Sequence, residues 1–190
     1  ELAREAEESG WDGFFLWDHV LAGAEKNVPM VDVWVAMAAM AMTTTRIRLG
    51  ATVTPVPRRR PWKLARETVT LDHLSNGRLT LGVGLGVAED YEPFGETYDV
   101  KANAARLDEG LEILAGLWSG EPFEHHGEAY QVGPVTFRPP SLQRPRIPVW
   151  VGGWWPNKAP FRRAARWDGV IPLKQGEDAL LSPADVANLC

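Results

Sequence analysis

Five short apolar runs alternate along the chain with segments of helical period, and that alternation restricts the fold more than any other feature. The runs fall at 13–19, 47–54, 78–85, 147–152 and 169–173. Strand, helix and strand again implies parallel strands joined by right-handed crossovers, which leaves an open doubly wound sheet or a (β/α)8 barrel. The 190 residues suffice for one domain with a sizeable core, and no internal repeat or second domain is evident.

The first run, Gly13-Phe14-Phe15-Leu16-Trp17-Asp18-His19, carries the strongest chemical signal. Consecutive bulky apolar residues after a glycine suit a strand buried on both faces. The run stops in an acid and an imidazole, and α/β barrels present functional side chains at the carboxyl ends of their strands. Asp18 and His19 are therefore the leading site candidates, set against the plain alternative of a satisfied structural histidine.

Local signals place the remaining elements. A helix over 1–9 ends at Gly10, and Asp32 is an N-cap for a helix from Val33 to about Thr44. That helix is apolar nearly all round and should be well buried. Pro55 and Pro57 end the second strand, Pro61 opens a helix over 62–75, and Asn76-Gly77 closes it. Residues 89–100 read as a loop. Leu107, Leu111, Leu114 and Trp118 mark a helix over 102–118 that stops at Gly120. The proline-rich segment 121–146, with β-prone pieces at 129–132 and 135–137, is an inserted hairpin. A short helix over 157–166 follows, and Ser182-Pro183-Ala184-Asp185 is a capped helix start.

Several function classes are disfavoured. A formal charge of −5 gives no overall attraction to nucleic acid or anionic membrane, and Arg58-Arg59-Arg60 and Arg162-Arg163 read as solvated loop and helix-end charges, with phosphate contacts as the alternative. Cys190 is the only cysteine, which rules out an internal disulfide and a thiolate metal cluster. His125-His126 lie in an apparent turn and would point apart on extended backbone, so no metal site is expected there. The longest strongly apolar stretch, Val33 to Met42, is about half of a bilayer span, so no membrane anchor and a cytoplasmic location are expected. Because Glu1 falls inside a helix, an upstream segment is also expected, and any targeting signal would lie in it.

The glycines at 82, 84 and 86 invite a dinucleotide-binding reading, which fails. The position three after Gly84 is Val87, and the residues beyond it include Pro93 rather than a helix start. No phosphate-binding G-x-x-x-x-G-K-[ST], no G-x-S-x-G elbow and no H-E-x-x-H helix is present. What remains is a glycine-rich strand end that admits a close neighbour, either another backbone or a flat ligand. Trp17, Trp150, Trp154 and Trp155 lie near strand ends and suit the walls of a pocket for a planar molecule. Together with one imidazole, these features point to a flat redox cofactor rather than to hydrolysis.

The segments Gly10–His19, Ser75–Gly86, Glu89 with Phe94-Gly95, Arg106–Glu112 and Pro148–Gly153 resemble the bacterial luciferase-like flavin-dependent oxidoreductases, in order and over essentially the whole chain. The resemblance implies a (β/α)8 barrel of which about five strands are present, with one strand expected before Glu1 and two after Leu173. It implies FMN, or coenzyme F420 in one branch, at the carboxyl face. By position, Asp18 and His19 would lie beside the isoalloxazine, with His19 as the catalytic hydrogen-bonding or proton-donating group. Ala51, Thr52 and Thr54 would belong to the strand end backing the ring, where relatives often have a bulge with a non-proline cis peptide. Gly84 and Gly86 would leave room for the ring edge, and Gly152, Gly153 and Trp154 would lie near the ribityl phosphate. Val87 stands where some F420-dependent relatives have an acid, which favours FMN. The expected activity is FMN-dependent monooxygenation of a small organic substrate, with a separate flavin reductase and a homo-oligomeric assembly. The alternatives are F420-dependent hydride transfer, or an inactive, self-associating barrel fragment.

Overall fold

The computed structural model describes residues 1–21, 28–174 and 181–187. Helix α1 (Leu2–Glu8) leads into β1 (Gly13–Leu16), followed by α2 (Val33–Thr43), β2 (Arg48–Pro55), α3 (Pro61–Leu74), β3 (Leu79–Gly84) and α4 (Val100–Ser119). An antiparallel hairpin of β4 (Pro122–His126) and β5 (Gln131–Thr136) precedes β6 (Val149–Trp155), α5 (Lys158–Ala164), β7 (Gly169–Lys174) and α6 (Pro183–Ala187). Among the described residues the main sheet has five parallel strands in the order β1-β2-β3-β6-β7. It is open and curled, with helices flanking it, as a partial (β/α)8 barrel requires.

The curl is visible in side chains that meet across intervening strands. Phe15 on β1 stacks on Trp150 on β6, with ring centroids 5.6 Å apart and planes 21° apart, although β2 and β3 lie between them. Gly50 is required at this point, because a Cβ there would lie 2.6 Å from the Phe15 ring. The opposite face carries the aliphatic core: Leu49, Leu79, Leu81, Val83, Val149 and Val151 are fully buried against Leu64 of α3 and Leu111 and Leu114 of α4. Each such side chain contributes about 1.5–3 kcal/mol by leaving water. Arg78, read as part of the third strand, precedes it and accounts for an otherwise open helix end. Its guanidinium donates to the carbonyls of Ala41, Thr44 and Ile47, groups at and beyond the carboxyl end of α2.

Several expectations need correction. The first strand stops at Leu16 and all four of its residues are partly exposed, because among the described residues β1 pairs with β2 alone. Helix α2 buries Val33, Trp34, Met37 and Ala41, yet Val35 and Met42 face out, so its all-round apolarity does not mean all-round burial. The hairpin strands are longer than their β-prone pieces, and β4 includes His125 and His126. The two imidazoles do diverge: His125 faces Glu109 and His126 faces Gln131. Of the arginine clusters, Arg60 and Arg162 are exposed as expected, but the others are not simple solvated charges. Arg163 is buried and makes two bonds to Asp108, at 2.8 and 2.9 Å, and Arg58 and Arg59 build the site described next. Cys190 lies outside the described residues.

Among the described residues no helix is long and apolar enough to cross a membrane.

Candidate functional site

Three loops converge beyond the carboxyl ends of β1, β2 and β3. The first begins with Trp17, Asp18 and His19. The second is the turn Val56–Arg58, set by Pro55 and Pro57, which carries Arg58 and Arg59 inward. The third follows Gly86, whose φ of 79° turns the chain into the short helical turn Ala88–Asp90. Tyr91 and Tyr98 clasp this third loop by donating to the carbonyls of Leu85 and Gly86, each at 2.9 Å. Burial pushes both phenols upward from their ordinary pKa, so they remain protonated donors.

The convergence produces a compact ion network. Asp90 has no exposed side-chain surface; its Oδ1 accepts from the backbone N–H of Val20 at 2.9 Å, and its Oδ2 faces His19 Nδ1 at 2.8 Å. Arg58 joins the two acids. Its Nη1 lies 3.1 Å from Asp90 Oδ2, an ion pair whose angle falls short of a hydrogen bond. Its Nη2 donates to Asp18 Oδ1 at 2.8 Å. Arg59 Nη2 donates to both Asp18 oxygens, at 2.8 and 2.9 Å, and its guanidinium sits 5.8 Å from the Trp34 ring. The Arg58 and Arg59 side chains are only 10% and 19% exposed, so each buried charge requires the others.

His19 is the edge of this network that opens onto solvent. An ionised carboxylate can only accept, so Asp90 holds the proton of a neutral imidazole on Nδ1 and leaves Nε2 with its lone pair. The ring is one-third exposed and lines a cleft of about 630 Å³, a volume within the range of small-molecule sites. Asp18, Arg58, Arg59 and Asp90 share the lining with the apolar Val20, Met30, Val31, Val33 and Phe94. Trp17 stands edge-on to His19, with centroids 6.1 Å apart, and is largely exposed.

The other sequence candidates fall outside that cleft. Ala51 points into the helix-side core. Between Ala51 and Thr54 the pairing of β2 with β3 slips, and the Thr52–Val53 peptide is cis. The slip aims the partly exposed Val53 over its neighbours: a Cβ on Gly84 would lie 2.5 Å from one Val53 methyl, and one on Gly152 would lie 2.8 Å from the other. Thr54 is buried with its hydroxyl unpartnered among the described residues. Gly86 abuts Tyr91 and Pro55, while Gly153 faces Pro160 of α5. Trp154, near the end of β6, is 48% exposed. Asp18 and His19 thus meet in the cleft, and the β2 bulge meets Gly84 and Gly152 around Val53.

Asp90, Arg58 and Arg59 do not emerge as site residues from sequence reasoning. Asp90 sits in a stretch without periodicity, 71 residues from His19. One signal was available: a run of three arginines placed directly after the prolines that end a strand.

A family model described as luciferase-like monooxygenase matches residues 1–179. The chain is 39% identical over 185 residues to an uncharacterised Mycobacterium tuberculosis protein, covering 88% of this chain and 62% of that one. It is 32% identical to the oxygenase component of a flavin-dependent trigonelline monooxygenase from Acinetobacter baylyi, covering 94% of this chain and 49% of the relative. It is 33% identical to an F420-dependent glucose-6-phosphate dehydrogenase from Nakamurella multipartita, covering 90% and 50%. The crystal structure of the monooxygenase RslO1 from Streptomyces bottropensis superposes with a TM-score of 0.75 at 31% identity, covering 87% of this chain and 49% of that one. The chain therefore spans about half to three-fifths of the length of these relatives. With that family model matching nearly the whole chain, the chain belongs to the luciferase-like monooxygenase family, within the flavin- and deazaflavin-binding oxidoreductases.

Proposed function

We propose that the chain forms the amino-terminal side of the active site of an FMN-dependent monooxygenase that uses reduced flavin and O2 on a small organic substrate. The observation that carries this reading is His19, oriented by Asp90 at 2.8 Å and opening onto the cleft at the carboxyl end of β1. The concave sheet face suits a flat ring: Phe15, Val53 and Trp150 are partly exposed there, and Gly84 and Gly152 make room for Val53 beneath. In this reading Ala51, Thr52 and Thr54 shape the strand end behind the ring, Gly84 and Gly86 flank its edge, and Gly152, Gly153 and Trp154 lie toward the ribityl phosphate.

Bound reduced flavin would supply the electrons that activate oxygen. The chain's own part is to hold the ring, exclude water and place one acid–base group. His19 Nε2 takes or returns a proton at the reacting atom, while Asp18, held by Arg58 and Arg59, fixes the chain directly before His19. A separate reductase would deliver reduced flavin, and association with further copies or segments would cover the open sheet edges.

The F420-dependent glucose-6-phosphate dehydrogenase relative supports hydride transfer from or to F420 as a second reading. Val87, where some F420-dependent relatives have an acid, favours FMN. Titrating the purified chain with FMN and with F420, followed by cofactor fluorescence, tests the choice. Saturable FMN binding is expected; F420 binding alone would transfer the protein to the second reading, and binding of neither would refute both.

A further inference from the structure

We infer that the His19 cleft takes an uncharged or cationic organic molecule with an apolar body, and discriminates against carboxylate- and phosphate-bearing compounds. This rests on the cleft being the substrate side of the proposed active site. Two independent features carry it.

The first is the apolar lining. Val20, Met30, Val31 and Phe94 are 44%, 38%, 75% and 55% exposed, and all four border the same cleft. Scattered exposed apolar residues need no explanation, but four converging on one concavity beside a reactive imidazole mark a surface that an apolar ligand covers.

The second is charge. The cleft holds two guanidiniums, yet both are already paired inside the protein. Arg58 lies between Asp18 and Asp90, and Arg59 is held by Asp18 with Glu67 3.7 Å away. These two cations and two lining carboxylates cancel. Two further carboxylates remain. Asp32 caps α2 through the N–H groups of Trp34 and Val35, and Glu96 stands exposed without an ion-pair partner among the described residues. An incoming anion would meet a neutralised network and an acidic rim, and two guanidinium nitrogens without a hydrogen bond, Arg58 Nη1 and Arg59 Nε, are buried. An alcohol, ketone, amine or quaternary nitrogen meets no such barrier, and a cation gains from Glu96.

The test compares benzyl alcohol, benzylamine and benzoate, probes of one shape and three charges, by the shifts of the His19 ring protons in NMR. Measurements at pH 8 lie above the ordinary imidazole range. Saturable shifts are expected from the alcohol and the amine, with benzoate at least about tenfold weaker. Phe94→Ala should weaken the alcohol and the amine alike, and Glu96→Lys should raise benzoate affinity toward theirs. Benzoate binding as tightly as benzylamine to the unaltered chain, or no shift at His19 from any of the three, would overturn the inference. FMN titration of the same sample separates the two ideas. Lost flavin binding with intact charge selection would remove the proposed function alone, whereas intact flavin binding with no charge selection would remove only this inference.

Discussion

His19 Nδ1 lies 2.8 Å from Asp90 Oδ2, and Arg58 Nη1 approaches the same oxygen at 3.1 Å. One carboxylate oxygen thereby orients the imidazole and anchors the cation that ties it to Asp18. The pair joins the loops that follow β1 and β3, so the orientation of the His19 ring is set by the loop after β3 rather than by its own loop.

Removing the imidazole should affect chemistry and spare the fold, because the ring is partly exposed and lies beyond the end of β1. His19→Ala is expected to slow oxidation of reduced cofactor with substrate about a hundredfold, with an unchanged melting temperature. Unchanged turnover would exclude His19 from the reaction; a lowered melting temperature alone would make it a structural residue.

Asp90→Asn keeps the shape and loses the obligate acceptor. An amide can donate to Nδ1 and so favour the tautomer with its proton on Nε2. Histidine ¹⁵N spectra should show the His19 proton on Nδ1 in the parent chain and a shift toward Nε2 in the variant. An unaltered tautomer would show that Asp90 does not govern the ring.

Arg58→Met would leave two buried carboxylates facing each other with half their compensation. The expected loss of stability is about 3–5 kcal/mol by denaturant unfolding, with Arg58→Lys intermediate, because an ammonium cannot reach both acids in the guanidinium's planar geometry. A loss below about 1 kcal/mol for Arg58→Met would mean that the network is solvated and the two acids are not interdependent.

Glu7 predicts a pH dependence unrelated to the site. The N–H of Ile47 is the leading cause, joined by those of Arg46 and Thr45 against the opposing effect of burial, and together they hold the carboxyl at about 2, below its ordinary 4.5. A depressed folded-state value stabilises the protein above pH 4.5, and that contribution fades as pH falls toward 2. Glu7→Gln should cost about 1–3 kcal/mol at neutral pH and flatten the stability profile across that window. Parallel profiles for the two proteins would refute the assignment.

Glu109 fastens the inserted hairpin to α4 by accepting the N–H groups of Glu128, Ala129 and Tyr130 at 3.0 to 3.1 Å. Glu109→Ala should release those three amides to hydrogen exchange at least about tenfold faster, with little change in the main sheet. Equal protection would place the hairpin's anchorage elsewhere.

Much of this architecture is written locally. Proline and glycine punctuation located the strands and helices to within a few residues: Pro61 opens α3, Gly120 with its φ of 75° stops α4, and Asp32 caps α2. The alternation of elements dictates parallel pairing, and the Asp18-His19 pair, whose signal lies in adjacent residues, borders the cleft. Burial was less legible. The partial exposure of β1 depends on its having one neighbour, and the two faces of α2 differ only in what packs against them. The site's electrostatics were decided by the tertiary structure alone. Whether Arg58 and Arg59 are solvated or buried depends on acids 40 and more residues away, and Asp90 acquires its role only when the loops after β1 and β3 meet. Periodicity and turn chemistry act over a few residues and can be read from a single chain. Charge compensation depends on distance in space, which the folded sheet sets.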